Sequence, residues 1–158
     1  MKTFYKTLLL LIINYQLSII NCFSQQAPGI EWAKCLGGSD RDDARSVQQT
    51  KDGGYIVGGM AHSTDGDITS SKGLNDFWIV KLDNAGNIQW QKNFGGTNSD
   101  YAYSIQQTFD SGYIISGHTN SGDGDVTGFN YGSGNDYWVV NWIALGRCNG
   151  RTVLEALI

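Results

Sequence analysis

Trp32–Ser63 reads WAKCLGGSDRDDARSVQQTKDGGYIVGGMAHS, and Trp90–Ser121 reads WQKNFGGTNSDYAYSIQQTFDSGYIISGHTNS. The second stretch is the first displaced by 58 residues. Trp32, Gly37, Gly38, Asp42, Ala44, Ser46, Gln48, Gln49, Thr50, Asp52, Gly54, Tyr55, Ile56 and Gly59 all return unchanged. Asp65-Gly66-Asp67 returns as Asp123-Gly124-Asp125. Two extra residues near Tyr131–Ser133 then move the offset to 60, at which Asn75, Asp76 and Trp78 match Asn135, Asp136 and Trp138. Self-similarity at such a period marks a repeat architecture in which each repeat is one supersecondary unit.

Within the unit, Ser46–Thr50 and Tyr55–Met60 flank Lys51-Asp52-Gly53-Gly54, a turn whose Asp and Gly residues tolerate positive φ. Phe77–Leu82 and Ile88–Phe94 flank Asp83–Asn87 as a second hairpin, and a polar loop over 61–75 joins the two. No apolar stripe at helical spacing follows the leader. The expected fold class is all-β: a partial β-propeller of about two four-stranded blades, 32–89 and 90–140, since four strands is the content of a blade. The chain has 21 Gly and 1 Pro, the punctuation of short strands and tight turns.

The quoted stretches also resemble a known family, the bacterial secreted β-propeller repeats. Gly37-Gly38-Ser39, Asp42-Asp43-Ala44-Arg45-Ser46-Val47, Asp52-Gly53-Gly54-Tyr55-Ile56 and Asp76-Phe77-Trp78-Ile79-Val80-Lys81-Leu82-Asp83 carry the resemblance. It covers residues 32 to about 140. Members often resemble type IX secretion cargo with a C-terminal sorting domain, so that export route is implied by the resemblance alone.

Residues 1–24 read as a signal peptide. Lys2 and Lys6 supply the positive region, Leu8–Ile20 the apolar one, and Cys22 and Ser24 the small residues before a cleavage site. The apolar run is shorter than the roughly 20 residues of a membrane span. Cys22 admits a lipoprotein alternative, against which Asn21 is a poor preceding residue. Residues 25–31 are a linker. The predicted location is secreted or at the outer cell surface, with no membrane association once the signal is cleaved. Cys35 and Cys148 are too few for a disulfide framework.

The formal net charge of -4 and the lack of a Lys/Arg cluster exclude nucleic acid as a partner. A glycan or a protein at the cell surface remains open. Ser63–Thr69 and Ser121–Thr127 place carboxylates at alternate positions, and Asp76 and Asp136 close the two loops. Asp65, Asp67, Asp76, Asp123, Asp125 and Asp136 are thus candidate Ca²⁺ ligands, although Asp-Gly-Asp equally makes turns and the spacing lacks a terminal Glu. No other cofactor is predicted. Asp42, Asp43 and Asp100 resemble a glycosidase carboxylate pair, but recurrence in each repeat favours structure, since catalysis needs one site. His62 and His118 occupy different repeat positions and form no zinc pattern. Trp32, Trp78, Trp90, Trp138, Tyr55 and Tyr113 suit sugar stacking or packing between repeats. The expected function is a non-catalytic scaffold or binding module. A carbohydrate-binding module beside a polysaccharide-degrading enzyme is the alternative, and a glycosidase with its active site outside this chain is a third.

Residues 141–158 abandon the pattern and are predicted to be a frameshifted tail. Read from the third base of the Asn141 codon, the frame admits L-D-x-x-G-x-x-Q-W-Q-x-x-[LF]-G-G-[ST]-N. That is the order of Leu82, Asp83, Gly86, Gln89, Trp90, Gln91, Phe94, Gly95, Gly96, Thr97 and Asn98.

Overall fold

The computed structural model describes residues 5–6, 27–128, 134–143, 147–148 and 151–152. The expected signal peptide falls outside the described residues, apart from helical Tyr5 and Lys6. Among the described residues no helix is long and apolar enough to cross a membrane. Residues 1–31 form a unit separate from Trp32 onward.

The fold is all-β. The first sheet is antiparallel, in the order β1 (Asp42–Gln49), β2 (Tyr55–Ala61), β3 (Asp76–Leu82) and β4 (Ile88–Phe94), so that β4 spans the 89/90 step of the sequence repeat. The second is β5 (Asp100–Gln107), β6 (Tyr113–Thr119) and β7 (Asp136–Trp142). The fourth strand expected there is not joined to β7 among the described residues. The residues that should supply it have lost the repeat pattern; instead β8 (Arg147–Cys148) pairs with β9 (Arg151–Thr152). Asn141 and Trp142 still extend β7, so the strand outlasts the recognisable repeat by two residues.

Two details of the strands correct the expectation. β1 begins four residues before the predicted Ser46, and β5 begins at the matching residue, Asp100. A bulge between Ala44 and Ser46, matched between Ala102 and Ser104, breaks the alternation that sequence reading follows. The β1–β2 turn is closed by Thr50 N–H to Gly54 O and Gly53 N–H to Thr50 O, both 2.9 Å. Gly53 takes φ 83°, and Ser111 holds the same place in the second repeat at φ 69°. A side chain there costs about 1–2 kcal/mol, which glycine avoids at about 0.5–1 kcal/mol of backbone entropy. Ser111→Gly should therefore stabilise the chain slightly, by up to about 1 kcal/mol, read as a raised denaturation midpoint; a lowered midpoint would contradict the turn geometry.

One core cluster lies between the two sheets, and a second, of Ala61, Ile68, Trp78, Val80 and Leu82, is built on the first sheet. Between the sheets, Ile56, Phe77 and Ile79 of the first sheet pack with Ala102, Ile105, Tyr113, Ile115 and Trp138 of the second. The rings of Phe77 and Trp138 are 4.6 Å apart. β5 lies against β1 and β2, and side chains stitch that seam. Ile105 N–H donates to Ser46 Oγ (3.3 Å), Gln107 N–H to Gln48 Oε1 (2.6 Å) and Lys51 N–H to Gln107 Oε1 (2.9 Å). The repeated Gln-Gln pair is thereby explained. The first Gln of one repeat serves the next repeat's backbone, and the second Gln of that next repeat serves the backbone behind it.

Candidate functional site

The repeated carboxylates gather where a strand begins and the Gly-Gly turn passes over it. Asp42, at the start of β1, accepts from Gly38 N–H (2.9 Å), His62 N–H (3.1 Å), Ser63 N–H (3.2 Å) and Ser63 Oγ–H (2.7 Å). Burial pushes its carboxyl up, but these donors together outweigh burial and hold it below the ordinary value. Asp100 repeats the role at β5, accepting from Gly96 N–H (2.9 Å), Ser121 Oγ–H (2.9 Å) and the Thr119 hydroxyl. Asp100 is fully buried, whereas Asp42 is half-buried, because only Asp100 has a repeat packed in front of it.

The acidic loop completes this clasp. Asp65 Oδ1 accepts Ser39 N–H at 2.7 Å and Asp67 Oδ2 accepts Gly37 N–H at 3.0 Å. In the second repeat Asp123 Oδ1 accepts Thr97 N–H at 2.8 Å and Asp125 Oδ2 accepts Gly95 N–H at 3.2 Å. The Lys72 ammonium also reaches Asp125 from the first repeat. With Asp76, which accepts Lys72 N–H, five of the six candidate Ca²⁺ ligands receive backbone N–H groups. Among the described residues no three His, Cys, Asp or Glu side chains converge as a metal group. Asp136, half-buried, begins β7 as Asp76 begins β3. Removing calcium with a chelator should leave the melting temperature unchanged, by calorimetry; a large, calcium-restored loss would show that the loop binds metal.

Asp76 stands apart from that loop. Its Oδ2 accepts Lys72 N–H at 2.6 Å, and it is fully buried beside Asn93. Neither Asp76 Oδ1 nor either amide atom of Asn93 completes a hydrogen bond. A methyl group on Gly95 would stand 2.6 Å from both Asp76 Oδ1 and Asp100 Oδ2, so the two carboxylates converge there from different repeats. Burial, with the charge of Asp100 adding to it, raises the Asp76 carboxyl above 3.8. The native state therefore keeps this proton to higher pH than the unfolded chain, and stability falls as pH rises from 3.8 through the raised value. Asp76→Asn should remove that fall and stabilise the chain at pH 7, by on the order of 1 kcal/mol. Denaturation at several pH values tests it, and an unchanged pH slope would refute it. Sequence reading misses this pair because the partners lie in different repeats, and Asn93 shares its repeat position with Cys35, which is exposed.

The other candidates have separate partners. Asp43 pairs with Arg41 (2.6 Å) and Arg45 (3.2 Å) on the surface, away from the donors that hold Asp42. His62 lies 3.7 Å from Asp40, while His118 sits between the rings of Tyr101 and Tyr103. Trp32 donates to Asn84 O (3.0 Å) and meets Tyr55 edge-on at 5.5 Å; Trp90 meets Tyr113 the same way. Trp78 Nε1–H donates to Gln91 Oε1 at 2.8 Å. The aromatic residues are thus packing residues in both repeats, but in the first they border an open groove of about 610 Å³. No protein-family model matches the chain, and no curated protein matches its sequence.

Proposed function

We propose that this chain belongs to an exported β-propeller-type repeat protein that acts as a non-catalytic scaffold or binding module. One observation carries the reading: the carboxylates that recur in both repeats, Asp42 with Asp100 and Asp65 with Asp123, recur with the same backbone donors. A group that takes an equivalent backbone donor in each repeat does structural work, whereas a glycosidase needs two carboxylates around one bond. Export rests on the Lys2/Lys6 and Leu8–Ile20 arrangement, and type IX secretion on the family resemblance. The carbohydrate-binding alternative is less favoured, because Trp90 and Trp138 pack between the sheets.

Three measurements on the full chain test the proposal. Intact mass of the exported product should place a new N-terminus at or near Gln25; a mature chain beginning at Met1 would end the export claim. A glycan array should show no selective binding, and polysaccharides should not be cleaved. Selective sugar binding would turn the reading toward the carbohydrate module, and turnover would overturn it.

A further inference from the structure

The two sheets carry the same pair of faces, and among the described residues each sheet leaves one of them open at least in part; on the first sheet Trp78, Val80 and Leu82 are already buried with Trp32 and Leu36, while Ala44 and Val47 are exposed. The first sheet presents Ile56, Phe77 and Ile79 to the second, all fully buried. Their counterparts on the second sheet, Ile114, Tyr137 and Val139, are 40%, 97% and 59% exposed. The second sheet receives that contact on Ala102, Ile105, Ile115 and Trp138. The counterparts on the first sheet, Ala44, Val47, Val57 and Trp78, line the open groove, and Val47 is 65% exposed. Among the described residues there is therefore an exposed projecting face on the second sheet and a partly open receiving groove on the first. Their complementarity is already displayed once inside the chain.

We propose that the occupant of the groove is a second copy of this chain, docked head to tail, with Ile114, Tyr137 and Val139 of one copy in the groove of the next. The side chains at each counterpart position differ little in volume: Ile56 and Ile114 are identical, Tyr137 replaces Phe77, and Val139 replaces Ile79. Such swaps are tolerated in packed interfaces. Phe77 lies against Trp138 at 4.6 Å, so Tyr137 of one copy takes the matching place against Trp78 of the next, which the single chain already buries. Gly117 leaves room for Phe77, since a methyl group there would meet Phe77 Cζ at 2.8 Å. Gly59 keeps that room in the groove. The polar seam repeats as well. Ser46 and Gln48 serve the N–H groups of Ile105 and Gln107, and their counterparts Ser104 and Gln106 are exposed, placed to serve Val47 and Gln49 of a second copy. The contact is heterologous, so it extends by repetition unless its rotation closes a ring. It depends on the docking of the two sheets and holds whether or not the protein is a scaffold.

Sedimentation equilibrium on the full chain tests this with two surface variants, Val47→Glu and Tyr137→Glu. Both positions are exposed in the single chain, so neither change disturbs its core. The wild-type chain should associate reversibly with rising concentration. Each variant alone should weaken association by at least about 100-fold, since each buries an unpaired charge in the contact. An equimolar mixture should form a one-to-one dimer and nothing larger, because one intact face of each kind remains. A wild-type chain that stays monomeric would overturn the proposal, leaving the groove to another partner. So would either variant associating as tightly as wild type, which would indicate a face-to-same-face contact or strand-edge pairing. A mixture that yields no dimer would overturn it too.

Discussion

Phe77→Ala should destabilise the chain by about 3–5 kcal/mol, while Tyr137→Ala, at the same place in the second repeat, should stay within about 0.5 kcal/mol. Phe77 is fully buried and stacks on Trp138; Tyr137 is 97% exposed. Removing the Phe77 ring deletes apolar area and leaves a cavity between β3 and β6–β7 that a backbone held on both sides cannot close. Domains of this size have only about 5–15 kcal/mol in total, so the variant should lose a large share of its stability. The comparison belongs in dilute solution, where the chain is a single copy. Denaturant midpoints for both variants decide the matter. Equal losses would mean that the two sheets do not dock as described.

Asp100→Ala should cost about 3–4 kcal/mol, and Asp42→Ala about 1–2 kcal/mol. Hydrogen bonds to a buried charged group contribute roughly 1.5–3 kcal/mol each and are not additive. Without Asp100, the Gly96 N–H and the hydroxyls of Thr119 and Ser121 lose their acceptor where water does not reach; Thr119 and Ser121 are themselves buried. The donors around Asp42 are nearer solvent, and water replaces part of the loss. Asp42 also sets a pH signature. Its lowered carboxyl stabilises the chain fully above 3.8 and gives up that contribution as pH falls through the lowered value. Asp42→Ala should therefore lose stability less steeply with acid than wild type does. Equal costs for the two variants would show that packing of the second repeat does not set the strength of the clasp.

The all-β class and both hairpins were legible because Gly, Asp and Trp recur at a fixed spacing, and that spacing survives without any contact being known. β1 was shortened because the bulge at Ala44–Ser46 breaks the period of two on which strand reading depends. The acidic loop was legible as a turn or a cation loop but not as a clasp, since its donors, the N–H groups of Gly37 and Ser39, lie about 30 residues away and carry no side-chain signature. Gln48 and Gln107 gave no hint of their roles for a similar reason: each bonds backbone of a neighbouring repeat. The Asp76–Asp100 convergence was invisible because alignment stacks one repeat on another, whereas this contact joins the end of one to the start of the next.

The junction between the two sheets, 95–99, is held from both sides. Asp123 and Asp125 grip it from its own repeat, while Leu74 N–H donates to Asn98 O (3.2 Å) and Asp100 N–H to Asn75 O (2.7 Å) from the other. Gly73 sits so close that a methyl group on it would lie 2.1 Å from Gly96 O. A connection of this kind is no hinge. A protease needs an extended, accessible stretch of backbone, and here Gly95 and Gly96 are buried. Digestion of the native protein should spare the joint and enter instead at the exposed tips, 69–72 and 109–111, so that the repeats stay together as one fragment after their loops have been nicked.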